Sequence, residues 1–173
     1  MGRPGGGRRL KGPPTRSKDD IRRAYQAHAK TVYKACYGFF GRGADAEDAT
    51  QETFIRLMRY DGDFASDEHL RAWLIRVASN VCKDVLKSAE VSRRGAALED
   101  VPEPVAPAEE YDATRDVVLS LEPKYKDVVY LYYYEGYTSA EIAKILGKPP
   151  STVRNLLSEA RWILREKLGG EWR

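Results

Sequence analysis

The sequence has little of what metal centres, secreted domains and membrane spans require. Only two cysteines, Cys36 and Cys82, and two histidines, His28 and His69, occur in its 173 residues. Neither cysteine belongs to a CxxC pair, which argues against a zinc site and excludes a disulfide framework. No apolar run approaches the ~20 residues of a membrane span, and no apolar signal-peptide core follows the basic N-terminus. We therefore expect a cytoplasmic protein with both cysteines on buried helix faces.

Motifs for catalysis are also missing. The chain has no phosphate-cradling glycine loop and no Ser/His/Asp arrangement, and neither histidine has a nucleophile near it in sequence. Acidic pairs such as Asp45 and Asp48 could in principle hold Mg²⁺, which keeps an enzyme as an alternative. The sequence predicts a protein that is not an enzyme and that has no cofactor and no metal site.

Charge is distributed unevenly, although the net charge is only +3. The first 18 residues carry six basic side chains and no acidic one: Arg3, Arg8, Arg9, Lys11, Arg16 and Lys18. Residues 1–17 are also rich in glycine and proline, so we expect a basic, flexible tail. It either touches nucleic acid or only keeps the chain soluble.

Apolar residues recur at helical spacing, and nothing reads as a convincing strand, so the sequence predicts an all-α fold. In a first domain, residues 18–92, one amphipathic helix runs from Lys18 to about Phe40. A second begins near Asp45, where acidic side chains suit the positive end of the helix dipole, and it ends near Tyr60. Its expected buried side chains are Ala49, Phe54, Leu57 and Met58.

A long third helix follows the break YDGDFASDEH and has two different faces. Its apolar face includes Trp73, which we expect in the core rather than stacked on a base, and ends at Val85. Its opposite face carries Arg76, Asn80, Lys83 and Lys87 at steps of four, three and four. Such a stripe is usually a solvated surface. An asparagine among three cations weakens that interpretation here.

Residues 93–112 change composition to VPEPVAPAEEYD, with three prolines and a cluster of acids. This pattern predicts an extended acidic linker. About 20 residues of proline-rich chain reach roughly 60 Å at ~3.1 Å per residue, so the domains on either side could bind sites far apart.

The second domain, residues 113–168, is again helical and is followed by a tail, residues 169–173. Its most informative stretch is TSAEIAKILGKPPSTVRNLL. Thr138 and Glu141 have the spacing of a capping box, and Gly147 suits the left-handed residue that ends a helix. Pro149 and Pro150 then start a new helix, because proline is accepted in a first turn. Two helices joined by so short a turn predict a helix-turn-helix, whose second helix enters the DNA major groove.

The second helix of this motif is expected to be buried on one side, through Val153, Leu156, Leu157, Ala160 and Leu164. Arginine can donate two hydrogen bonds to guanine, asparagine can pair with adenine, and hydroxyls can hold phosphates. The predicted contacts to duplex DNA are Thr138, Ser151, Thr152, Arg154, Asn155, Ser158 and Arg161. A helical hairpin without a nucleic-acid role remains an alternative.

Three blocks, in this order, resemble the bacterial RNA polymerase sigma factors of the small extracytoplasmic-function group, over about Asp20 to Leu168. DAEDATQETFIRLMR is similar to the second-region motif that binds core polymerase, and HLRAWLIRVASNVCKDVLKS to the helix that engages the −10 promoter element. EGYTSAEIAKILGKPPSTVRNLLSEARWILREKL is similar to the fourth-region helix-turn-helix that reads the −35 element. The resemblance implies a promoter-recognition and transcription initiation factor with two small helical domains, and leaves catalysis to the polymerase.

The resemblance also implies partners and individual roles. Core RNA polymerase would meet an acidic face formed by Asp45, Glu47, Asp48, Gln51 and Glu52. Asn80 would contact an unpaired base of the −10 promoter element, and Arg76, Lys83 and Lys87 would contact phosphates. The loop 60–67 would complete the pocket for the base. The linker would thread channels of the polymerase, unless it is a mere solvated tether. Whether an anti-sigma protein binds is left open, and no membrane insertion is expected.

The main rival is a stand-alone, dimeric helix-turn-helix regulator of duplex operators. It explains the last block but gives the acidic helix and the Asn80 stripe no role. Leu156, Pro150 and Ser151 depart from the common sigma pattern, so the promoter sequence is not predicted.

Overall fold

The computed structural model describes residues 16–95 and 113–169, which form helices and no strand. The α-helices of these ranges are α1 Lys18–Phe40, α2 Gly43–Arg59, α3 Asp67–Gly95, α4 Ala113–Leu119, α5 Pro123–Val129, α6 Ser139–Leu146 and α7 Pro150–Leu168. A π-helical turn, Tyr130–Tyr134, follows α5 directly. None of these helices is long and apolar enough to cross a membrane. The all-α prediction is confirmed, whereas most of the predicted basic tail and acidic linker lies outside the described residues.

The first domain is a three-helix unit in which α1, α2 and α3 pack against one another. Gly41, with φ at 64°, ends α1 in the left-handed conformation that glycine adopts at low cost. Cys36 of α1 and Cys82 of α3 are both fully buried in the shared core, as predicted. The His28 ring, also buried, makes a 2.8 Å hydrogen bond from Nε2 to Asp67 Oδ1 and joins α1 to the start of α3.

Two apolar residues expected in this core are exposed instead. Met58 is 39% exposed and Val85 is 46% exposed. The buried side of α2 includes Ala46, Ala49 and Leu57. Met58 follows Leu57 directly, so its side chain points roughly 100° away from that side. On α3 no described residue after Cys82 is buried, so Val85 lies beyond the end of the core.

In the second domain, the helix-turn-helix forms as predicted. Thr138 Oγ1 accepts a 3.3 Å hydrogen bond from the Glu141 N–H, and Glu141 Oε2 accepts one of 2.8 Å from the Thr138 N–H. Gly147, with φ at 63°, ends α6, and Pro150 is the first residue of α7. The chain therefore changes direction at the left-handed Gly147, and the next helix begins shortly afterwards at Pro150.

The underside of α7 is buried through Val153, Leu157, Ala160 and Leu164, and these predictions are confirmed. Leu156 was also expected to be buried but is only partly so. It packs at the edge of the two apolar clusters of the second domain. Its position one residue before Leu157 explains this, because successive residues on a helix are ~100° apart.

The two domains pack directly on each other. Ile75 of α3 is 2% exposed and belongs to the apolar cluster of the second domain, together with Val128 and Leu131. Polar contacts complete the interface, since Lys126 Nζ donates a 2.7 Å hydrogen bond to the carbonyl oxygen of Phe39 at the end of α1. The middle of α3 therefore belongs to the cores of both domains.

Candidate nucleic-acid interface

The outer side of α7 presents hydrogen-bonding side chains to solvent. Five of the predicted duplex contacts are exposed there: Ser151, Thr152, Arg154, Asn155 and Ser158. The buried Val153 and Leu157 hold the opposite side of the helix against the domain. The structure thus brings a guanidinium, an amide and three hydroxyls together on the first turns of one rigid helix.

The other two predicted duplex contacts already have partners within the protein. Thr138 is exposed, but its hydroxyl caps α6 through Glu141. Arg161 Nε donates a 3.0 Å hydrogen bond to Tyr133 Oη, and its guanidinium lies 5.1 Å from the centroid of the Tyr132 ring. The bond to Tyr133 raises the pKa of Arg161. These two residues border the exposed set and are held in fixed positions.

On α3 the four residues of the polar stripe share one side of the helix but have different surroundings. Arg76, Asn80 and Lys87 are exposed. Lys83 forms an ion pair with Asp127 of α5, and the Arg76 guanidinium lies at the turn of the helix-turn-helix. A Cβ atom added to Gly147 would be only 2.8 Å from Nη2 of Arg76. Three members of the stripe are therefore open to solvent, and two, Arg76 and Lys83, lie beside the second domain.

The loop 60–67 is organised by aromatic packing. The ring centroid of Trp73 lies 4.8 Å from that of Tyr60 and 5.6 Å from that of Phe64. Trp73 is half-buried and packs against the core of the first domain, as predicted. A cleft of about 610 Å³ lies between this loop, α1 and the start of α3.

Arg16 is a member of this site that the sequence did not reveal. Its guanidinium lies 4.6 Å from the Phe64 ring centroid and donates a hydrogen bond to the carbonyl oxygen of Gly62. The side chain therefore covers one edge of the loop and adds positive charge beside the cleft. The only sequence signal was the basic composition of the leader, which does not indicate a contact more than forty residues away.

The acidic surface of α2 is the third group of predicted contacts. Asp45, Glu47, Asp48 and Gln51 are exposed, and Glu52 Oε1 accepts a 3.0 Å hydrogen bond from Arg56 Nε. Ile55 and Met58 are 38% and 39% exposed and continue the line of Gln51 at steps of four and three. The structure thus adds two apolar residues to the predicted acidic face. Their helical spacing from Gln51 was the available signal.

Comparison with known families agrees with this arrangement. Residues 24–91 match the family pattern for Sigma-70 region 2, and residues 111–164 match that for Sigma-70 region 4. The chain is 30% identical over 155 residues to the ECF RNA polymerase sigma factor SigL of Mycobacterium tuberculosis, covering 84% of this chain and 86% of SigL. The chain belongs to the ECF sigma factors. It is therefore a sigma factor for promoter recognition, and the stand-alone regulator is not favoured.

Other relatives give a consistent result. The chain is 31% identical over 148 residues to the ECF sigma factor BldN of Streptomyces coelicolor, covering 80% of this chain but only 56% of BldN. Two solved structures share the fold: the sigma factor RpoE of Bartonella quintana, with a TM-score of 0.66 at 20% identity, and CnrH, with a TM-score of 0.63 at 21% identity. They cover 88% and 90% of this sigma factor, and it covers 99% and 91% of their chains. We call residues 18–95 the region 2 domain and residues 113–168 the region 4 domain.

The capping box at the start of α6 makes a pH-dependent contribution to stability. Hydrogen bonds from the backbone and then the hydroxyl of Thr138 lower the pKa of Glu141. A carboxyl whose pKa is lower in the folded state stabilises it above the unfolded-state pKa, and this contribution is lost as the pH falls through the folded value. We expect Glu141→Gln to lower the melting temperature at pH 7 and to have much less effect near pH 3. Thermal melts at both pH values measure the difference.

Glu166→Gln is the matched control, because Glu166 is an exposed carboxyl on α7. It should shift the melting temperature little at either pH. An effect of Glu141→Gln that is equally large at pH 3 and pH 7 would contradict the capping assignment.

Proposed function

We propose that this sigma factor joins core RNA polymerase through α2, reads the −35 element with α7 and captures unpaired −10 DNA with α3 and the loop 60–67. The observation that carries the proposal is the exposed set on α7, where Arg154 and Asn155 stand over the buried Val153 and Leu157. The polymerase supplies the catalysis, and both partners meet this protein in the cytoplasm.

The proposed −35 reader is the N-terminal half of α7. A helix of this kind lies in the major groove with its first turns against base edges. Arg154 suits a guanine, where it can donate to both O6 and N7, and Asn155 suits an adenine. Ser151, Thr152 and Ser158 suit phosphates at the groove edges, and they would fix the register of the helix.

The proposed −10 reader combines α3 with the neighbouring cleft. An unpaired base offers hydrogen-bonding edges and a ring face that a duplex hides, so binding it favours strand opening. Asn80 is exposed and can bond such an edge, and Lys87 is exposed on the same stripe for the backbone. The cleft of about 610 Å³ beside Phe64 has room for a base.

The proposed polymerase contact is the acidic face of α2. Carboxylates favour a partner surface rich in arginine and lysine and speed the encounter with it. The exposed Ile55 and Met58 beside them supply the apolar area that protein interfaces bury at their centres. An anti-sigma factor is a further proposed partner, since RpoE of Bartonella quintana and CnrH were solved with the anti-sigma factor NepR and with CnrY.

Reconstituted transcription tests the proposal as a whole. Purified protein is added to core RNA polymerase with a promoter library, and core binding is measured separately. We expect core binding and selected start sites, and we expect Asp48→Lys to weaken core binding at least tenfold, about 1.4 kcal/mol. Asp116→Lys, which makes the same charge change on α4, is the control. Absence of core binding or of start-site selection by the unmodified protein would refute the proposal.

The −35 contact is tested with Arg154→Ala. We expect a loss of about 1–3 kcal/mol in affinity for the selected promoter and relaxed preference at one base pair, because a bidentate contact would be removed. Holoenzyme binding to a set of single-base promoter variants measures both effects. Arg165→Ala, on the same helix but outside the predicted set, should change neither. Equal effects of the two substitutions would exclude Arg154 as a base contact.

The −10 contact is tested with Asn80→Ala. We expect slower promoter opening on duplex DNA and near-normal initiation on a template whose −10 region is already unpaired by mismatches, because the substitution removes help with opening. Permanganate reactivity of unpaired thymines and single-round transcription measure the two steps. Ser88→Ala, an exposed position farther along α3, is the control. If Asn80→Ala opens duplex promoters at the normal rate, Asn80 has no role in opening.

A further inference from the structure

We propose that a cavity between α1 and the region 4 domain binds a small organic acid, with its aromatic body among tyrosine rings and its anionic group on Lys126. The cavity has a volume of about 680 Å³ and lies between α1 on one side and α4, α5 and the π-helical turn on the other. Small-molecule sites have volumes of roughly 300–1,000 Å³, so the size suits such a ligand. None of the contacts proposed above for promoter DNA or core polymerase lines the cavity, so the site is independent of the proposed function.

Two pairs of tyrosine rings line this cavity, one pair from each domain. Tyr33 and Tyr37 of α1 have ring centroids 6.0 Å apart. Tyr130 and Tyr134 of the π-helical turn are stacked, with ring centroids 5.9 Å apart. The apolar side chain of Val118 adds to the lining from α4. Aromatic rings pack favourably against other rings in offset and edge-on arrangements, so this lining favours a ligand with an aromatic body.

The buried ammonium of Lys126 supplies the charge that an acid requires. Lys126 lines the cavity although it is only 6% exposed, and its Nζ donates a 2.7 Å hydrogen bond to the carbonyl oxygen of Phe39. An ammonium can donate three hydrogen bonds. No carboxylate of the residues that the structure describes forms an ion pair with it. Buried charges are normally paired, and burial lowers the pKa of Lys126. An anionic group in the cavity would therefore pair with Lys126 and stabilise its charged form.

The other charged groups of the lining favour an anion over a cation. Lys34 and Arg115 line the cavity beside Lys126 and add positive charge. Glu135, the acidic residue in the described lining, is already paired with Arg71 and accepts a 2.6 Å hydrogen bond from Tyr130 Oη. The lining therefore carries an excess of positive charge, which is complementary to an acid.

Two dyes that share the same rings test the site. Anilinonaphthalene sulfonate joins an aromatic body to one anionic group and becomes fluorescent in apolar surroundings, and phenylnaphthylamine has the same rings without the sulfonate. We expect the unmodified full-length protein to bind one equivalent of the sulfonate dye. We expect its affinity for that dye to be about tenfold or more higher than for the neutral dye, because only the sulfonate can pair with a buried ammonium. Fluorescence titrations at fixed salt measure both affinities.

Lys126→Met tests the charge, because it removes the ammonium and keeps an unbranched side chain of similar length. We expect the affinity for the sulfonate dye to fall about tenfold or more and the affinity for the neutral dye to stay near that of the unmodified protein. Lys144→Met makes the same change at an exposed position of α6 and should alter neither affinity. An unchanged affinity of Lys126→Met for the sulfonate dye would overturn the inference, since the anion would then bind elsewhere.

Gly38→Leu tests the cavity, because it adds a side chain to the wall formed by α1. A Cβ atom at Gly38 would lie 3.9 Å from Cδ2 of Tyr130, an ordinary van der Waals distance, and the rest of the leucine would enter the cavity. Leucine also has a higher helix propensity than glycine, so we expect the variant to fold, and a thermal melt checks this. Both dyes should lose most of their affinity. Ala140→Leu places the same side chain at an exposed position of α6 and should not change binding.

Two further results would overturn the inference. If the unmodified protein binds neither dye, or binds both with equal affinity, the cavity does not select an anion, and this comparison does not depend on the folding of any variant. If Gly38→Leu keeps its affinity for both dyes, the dyes bind outside the cavity. Neither result affects core binding or start-site selection, so a failure of this site is distinguishable from a failure of the proposed function.

Discussion

The carboxylate of Asp127 is the interaction on which the arrangement of the whole molecule depends. It is 2% exposed and has partners from α3 and from its own helix. A buried charge is tolerated only when it is paired and hydrogen-bonded, so these partners favour the packing of the region 4 domain on α3 in which the carboxylate is satisfied. Apolar contacts such as that of Ile75 attract the two domains but do little to fix their relative orientation. The ion pair between Asp127 and Lys83 is directional and favours one orientation.

Local chemistry in the sequence was enough to predict the helix-turn-helix. Each feature of this motif depends on residues within a few positions of one another, so a short stretch of sequence is enough to predict its geometry. These features are the capping box of Thr138 and Glu141, the left-handed Gly147 and the start of α7 at Pro150. The exposed set on α7 follows from the same pattern, because burial of Val153 and Leu157 turns Arg154 and Asn155 outward. The fold class and the approximate helix bounds could be predicted from the helical spacing of apolar residues, because that spacing is also a local property of the sequence.

Contacts between distant parts of the chain were not predictable. Asp127 lies in a part of the second domain for which the sequence predicts only helix, and its partner Lys83 is 44 positions away. Arg16 contacts Gly62, which is 46 positions away, and the basic composition of the leader does not indicate which residue Arg16 would contact. Met58 was assigned to the core because it is apolar, but small residues on α2 had already defined the buried side. For Asp127 and Arg16 the deciding neighbour lies in a distant part of the chain, whereas for Met58 it lies on the same helix.

One helix, α3, meets the core of each domain and the solvent with three different sectors of its surface. Leu74, Ala78 and Cys82 point into the region 2 core. Ile75 and Ser79, each one residue after a member of that set, contact the region 4 domain. Only the remaining sector is left for the promoter DNA that we propose binds α3, and Lys83 lies on its border. A lysine at such a border can pair with either neighbour, a carboxylate of the same chain or a phosphate, because its long side chain places one ammonium group within reach of both.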